Sequence, residues 1–207
     1  MITRDLRALP RRDQYRILSS LVIPRPIAWV ATIGDQGQVN LAPFSSFMGI
    51  FTPPAVAINV SHRRDGSLKD TQANLRARGE AVVHIADVPL LQALHASGDE
   101  VPPEVSELER LGLEAEPSQV VKVSRLSAAP VALECVLRQE VTLDETADLI
   151  ILDVLVAHAQ ERIWDAALDC ARADLWEPLS RLIGGGVDAP NYGALGERFS
   201  LGKPKLP

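Results

Sequence analysis

Two β-forming runs, Ile27–Ile33 and Gln38–Ala42, stand so close in this chain that no helical crossover fits between them. Parallel neighbours need a connection of a dozen or more residues, whereas Asp35-Gln36-Gly37 supplies only turn chemistry, so the pair reads as an antiparallel hairpin. Ala55–Val60 follows Pro53-Pro54 as a further strand, and Ala81–Ala86 is another. Val131–Leu143 and Leu149–Ala159 are longer and meet at the acidic turn 144–148. Strands linked in this way, with few helices between them, suit a small closed or split barrel rather than a doubly wound sheet. The fold class expected is therefore mainly β with inserted helices, in a single domain over residues 1–207.

The inserted helices are marked by punctuation. Ile17, Leu18, Leu21 and Val22 share one helical face over 13–22, and Pro24 and Pro26 forbid continuation. Ser67 reads as the N-cap of a helix running to Arg78, with Gly79 past its end. Within 89–115, Pro102-Pro103 reads as opening a helix over Glu104–Arg110 that Gly112 stops. Gly184-Gly185-Gly186 lacks the Lys-Ser/Thr of a phosphate loop, and the C-terminal stretch is turn-rich.

Composition narrows the function. Hydrophobic residues make up 46% and charged residues 23%, ordinary values for a folded domain. A net charge of −6 argues against nucleic acid, which needs a basic face. No run of about 18 uncharged apolar residues marks a membrane span. The two cysteines, Cys135 and Cys170, form neither a metal spacing nor a disulfide framework, so a reducing cytoplasm is expected with both thiols buried. His62, His84, His95 and His158 are scattered without ligand spacing, and no metal site is expected.

Two segments carry chemistry. In Asn40-Leu41-Ala42-Pro43-Phe44-Ser45-Ser46-Phe47 a strand ends in a proline and paired serines, whose hydroxyls and free N–H groups can hold a phosphate or the edge of a planar ring. The same serines can equally serve a surface turn. Ser61-His62-Arg63-Arg64-Asp65-Gly66-Ser67-Leu68-Lys69-Asp70-Thr71 brings cations and hydroxyls to a strand-to-helix junction. There the helix dipole and unpaired N–H groups favour a dianion, although Asp65 and Asp70 can instead pair the cations. Arg181 and Tyr192 form a third, weaker set.

The order of Pro24-Arg25-Pro26-Ile27-Ala28-Trp29-Val30-Ala31-Thr32, the 40–47 segment, Pro53-Pro54, and Asp65-Gly66-Ser67-Leu68-Lys69-Asp70-Thr71 with Asn74 resembles the flavin reductase-like, FMN-binding split-barrel family, in its flavoredoxin-like branch. Gly79–Ile85, Ala129–Cys135 and Arg181-Leu182 with Tyr192 continue the likeness, which spans about residues 15 to 200. The resemblance implies FMN at the interface of a homodimer. Its phosphate would lie near Ser61, Arg63, Lys69, Asp70 and Thr71, its ring against Asn40, Ala42, Pro43, Ser45 and Ser46, and Tyr192 over one face. The activity implied is NAD(P)H-dependent flavin reduction, passing electrons to free flavin, oxygen or a partner monooxygenase, with no residue acting as an obligatory acid or base. Two alternatives stand beside it: a flavoredoxin-like electron carrier that does not oxidise NAD(P)H, and a barrel binding another planar ligand. His84 and His95 depart from the family, which often has asparagine at both places.

Overall fold

The computed structural model describes residues 1–182 and 190–199; the glycine triplet and the final residues lie outside them. Seven strands form one antiparallel sheet: β1 (Ala28–Ile33), β2 (Val39–Phe44), β3 (Phe47–Phe51), β4 (Pro54–Ser61), β5 (Glu80–Ile85), β6 (Val131–Asp144) and β7 (Ala147–Ala159), in the order β2-β1-β5-β6-β7-β4-β3. The outermost strands of that order, β2 and β3, are consecutive in the chain and joined only by Ser45-Ser46. A link of two residues forces the sheet to curl until its ends meet, and the Asn59 N–H donates to the Ser46 carbonyl at 2.9 Å, carrying the β3–β4 ladder into that link. Shifts of register along β6 and β7 help the longest strands bend. The sheet is the barrel the hairpin spacing implies, with β3 added: Phe47–Phe51 is a strand beyond the elements expected from the sequence.

β1 shows why both faces are apolar. Ala28 and Val30 point into the barrel with Val56, Ile58, Ile150 and Leu152, while Trp29 and Ala31 point outward to Leu41, Leu94 and Val123. Leu75 of α2 (Asp70–Arg78) joins the interior cluster. The outer cluster lies beneath α3 (Leu91–Ala96) and the chain from 113 to 129. Trp29 is wholly buried, and its indole N–H is satisfied by Ser97 Oγ at 2.8 Å.

Three helix boundaries differ from expectation. α1 is Arg11–Leu21, but Leu18, Leu21 and Val22 on its apolar face are exposed. α2 starts at Asp70, not Ser67, because the Ser67 N–H and hydroxyl both bond the Asp65 carboxylate, closing a local turn. Lys69 takes the N-cap position in an extended conformation without a side-chain cap. α4 is shorter than expected, Glu107–Arg110, because Ser106 Oγ accepts the Glu109 N–H and caps it there.

The buried polar groups of the sheet are paired. His84 Nε2 accepts the Leu126 N–H at 2.9 Å, leaving Nδ1 to donate to the Trp29 carbonyl at 3.0 Å. Burial drives its pKa down to about 4, so the ring is neutral. Burial alone would raise the Glu134 carboxyl, but the N–H groups of Gln119, Val120 and Val121, together with His158, hold it at about 2. Cys135 is buried and its thiol is pushed up to about 12 by burial. Cys170, expected inside, is exposed on a short surface ribbon pairing Trp164–Asp165 with Cys170–Ala171.

Candidate functional site

The C-terminal end of β2 and the N-terminal end of α2 face each other across a cleft of about 140 Å³. Their separation is set by a buried ladder of amides and hydroxyls. Asn40 Nδ2 donates to Thr71 Oγ1 at 3.0 Å and lies 3.3 Å from Thr32 Oγ1, which also accepts from Asn74 Nδ2 at 3.0 Å. The ladder ties β1, β2 and α2 together and leaves the Thr71 hydroxyl proton for an acceptor in the cleft. As the first helical residues, Asp70 and Thr71 have N–H groups without intrahelical acceptors.

Two cations flank this helix start. Arg63 donates to Asp70 Oδ2 at 2.6 Å and to the Leu68 carbonyl, which holds the 63–68 loop against α2. Lys69 makes no ion pair among the described residues; its ammonium lies 5.8 Å from the centroid of Phe44. Ala42 and Pro43 complete the strand side. The opposite wall is Ser97–Val101 with Glu107. Gly98 lies against Pro43 there: a Cβ on it would come within 3.2 Å of the His95 carbonyl and 3.5 Å of Pro43 Cγ. Glu107 Oε2 accepts the Leu41 N–H at 3.0 Å, and burial raises its carboxyl above the ordinary range.

Of the residues named from the sequence, Asn40, Ala42, Pro43, Arg63, Lys69, Asp70 and Thr71 therefore line one cleft. Ser45 and Ser46 line a second, apolar depression of about 340 Å³ against α1. Ser61 is outside both, exposed where β4 pairs with Ala147, because the chain reaches the helix start only after turning at Arg63. Tyr192 is also outside the cleft lining. Its hydroxyl meets His95 Nδ1 at 3.1 Å and accepts from Arg181 at 3.2 Å, beside α3. The sequence reading missed Ser97–Val101 and Glu107, since nothing local in those segments signals that they pack across β2.

What this arrangement can do is hold a ligand with an anionic end at α2 and polar groups along the opposite wall. The flavin reductase like domain family matches residues 19–172. The uncharacterized protein YwrF of Bacillus subtilis is 38% identical over 202 residues, covering 95% of this chain and 96% of that protein. Among solved structures, nitrilotriacetate monooxygenase component B from Bacillus cereus is 32% identical with a TM-score of 0.89, covering 97% of this chain and 98% of its own. Pseudomonas fluorescens 2-nitrobenzoate 2-nitroreductase NbaA is 28% identical with a TM-score of 0.88, covering 100% and 98%. The flavoredoxin of Desulfovibrio vulgaris shares the fold at 18% identity and a TM-score of 0.72. By sequence and by fold, this chain belongs to the flavin reductase like domain family, whose split β-barrel it adopts.

Proposed function

We propose that the chain binds FMN with its phosphate at the start of α2 and works as an NAD(P)H-dependent flavin reductase. The observation that carries this reading is the meeting of Lys69, the Thr71 hydroxyl and the free N–H groups of the first turn of α2 at the end of β2. This donor set suits a phosphate dianion, with helix dipole, hydroxyl and cation acting together. Arg63 is half engaged by Asp70 and serves to position the loop as much as to add charge. The polar wall around Ser97–Val101 and Glu107 offers partners for hydroxyl groups along a ribityl chain.

Bound flavin supplies the two-electron chemistry, and the protein supplies placement and control of water. The physiological acceptor is free flavin, oxygen or a partner monooxygenase; the last is supported by the likeness to a monooxygenase component B. The working unit is a cytoplasmic homodimer, a reading supported by the exposed apolar side chains of Leu18, Leu21 and Val22 on α1 and of Met48 and Phe51 on β3.

Titration with FMN and with riboflavin, followed by flavin fluorescence, tests the cofactor claim. FMN is expected to bind and riboflavin to bind more weakly; no change with either sinks the reading. Anaerobic mixing of the flavin-loaded protein with NADH or NADPH then tests the reductase. Bleaching of the flavin band supports it, and an unbleached band with either nucleotide leaves a flavin-binding electron carrier instead.

A further inference from the structure

His62 stands between the end of β4 and the Arg63–Thr71 segment, and both of its ring nitrogens face acceptors. Nε2 is 2.7 Å from Asp148 Oδ2 on β7, and Nδ1 is 3.1 Å from the Glu145 carbonyl in the β6–β7 turn. A neutral imidazole has one N–H and leaves a lone pair against one of these oxygens, whereas an imidazolium donates to both. The hydrogen bond to Asp148 also lifts the His62 pKa above the ordinary 6.5. Asp148 is 1% exposed, and the same Oδ2 accepts from Gln72 Nε2 at 2.6 Å. One buried carboxylate oxygen thus ties the entry to the 63–71 loop, at His62, to its exit in α2, at Gln72.

Between those two ends lie Arg63, Lys69 and Thr71, which line the cleft. The other charges around the ring are matched among themselves. Arg76 of α2 lies 3.9 Å from Asp148 but pairs with Glu140 of β6 at 2.7 Å, and Arg11 of α1 pairs with Asp144 at 3.3 Å and Glu145 at 2.7 Å. Arg63 is tied to Asp70 at 2.6 Å. Among the described residues here, His62 alone has a side chain that ordinarily titrates near neutrality. We propose that the His62 imidazolium is a positioning residue for the phosphate-binding loop, acting through Asp148 and the β6–β7 turn, and that its deprotonation loosens the loop and weakens FMN. The effect on FMN rests on the phosphate site proposed above; the imidazolium latch does not. A folded-state pKa above 6.5 puts the change on the alkaline side: the latch is complete below that value and is lost as the pH rises through the folded-state pKa.

Imidazole nitrogen resonances of the flavin-free full chain test the charge state. The His62 ring is expected to carry both protons at about pH 6.5 and to titrate with a midpoint above it; a midpoint at or below that value overturns the proposal. Amide exchange over 63–68, corrected for its intrinsic pH dependence, is expected to lose protection through the same midpoint. Protection that does not follow the ring overturns the proposal as well. Fluorescence titration then compares FMN with riboflavin from about pH 6.5 to about pH 9, where the phosphate is already close to a dianion. FMN is expected to weaken roughly fivefold across that range, the worth of about one hydrogen bond, while riboflavin stays level. His62→Gln, which can still donate to Asp148 but does not titrate, should remove the pH dependence of FMN binding; a variant that keeps it in full shows that another group is responsible. FMN that binds at neither pH sinks the cofactor reading, and the ring titration and the amide exchange then decide on the latch by themselves.

Discussion

Lys69 differs from its neighbour Arg63 in one respect that matters for binding: Arg63 is tied to Asp70 at 2.6 Å, whereas Lys69 has no ion pair among the described residues. Its charge is the more available to a phosphate. Lys69→Met is expected to weaken FMN by about tenfold, the usual worth of one charge-assisted contact, while riboflavin affinity stays the same; comparative fluorescence titration checks both. His84 carries a second residue-level consequence. Its folded-state pKa of about 4 lies below the ordinary 6.5, so between those values the unfolded chain binds more protons than the folded one. Its contribution is complete above pH 6.5 and falls away as the pH drops towards 4, by about 3 kcal/mol in all. Urea midpoints measured across that window should show the slope, and His84→Gln, which keeps a donor and an acceptor without titrating, should flatten it.

At the scale of single elements, α2 depends on its ends. Gly79 closes it with φ of +72°, and its N–H bonds the Leu75 carbonyl at 2.8 Å. Gly79→Ala forces a Cβ into the left-handed region and is expected to cost about 1 kcal/mol in denaturant unfolding. Strand β6 has a larger dependence on one side chain. The Glu134 carboxylate gathers N–H groups from Gln119 and Val120, both at 2.7 Å, and from Val121 at 3.2 Å, and so fixes a loop that has little regular structure of its own. Glu134→Gln turns an acceptor-only group into one that also brings N–H donors to a cluster of donors. A loss of about 3 kcal/mol is expected, with increased amide exchange at 119–121 as the local signature.

For the molecule as a whole, the apolar faces left open are the question. Leu21 is 73% exposed and Phe51 90% exposed, on α1 and β3. Under the homodimer reading these faces are covered by a second copy, and Leu21→Glu with Phe51→Glu should convert a dimer into a monomer on a calibrated column. Elution of the unaltered chain as a monomer would contradict that reading.

Much of this was legible from the sequence because it is written in local chemistry. The hairpin β1–β2 follows from Asp35-Gln36-Gly37 between two β-forming runs, and the acidic turn between β6 and β7 from the same kind of signal. Asn40 and the cation-rich Arg63–Thr71 segment could be named as candidates for one site, and they do line one cleft, because strand ends and helix starts expose free N–H groups wherever they occur. Other features required the closed barrel. The two-residue link that makes Ser45-Ser46 a corner, and Phe47–Phe51 a strand, acts only because β2 and β3 are the far edges of one sheet. Glu107 and Gly98 reach the cleft through packing across β2, and Ser61 and Tyr192 fall outside it because side-chain direction depends on register rather than on position along the chain. Periodicity and turn chemistry act between near neighbours and so determined the elements; which elements face each other across a cavity depends on contacts distant in sequence, and only the tertiary structure decided that.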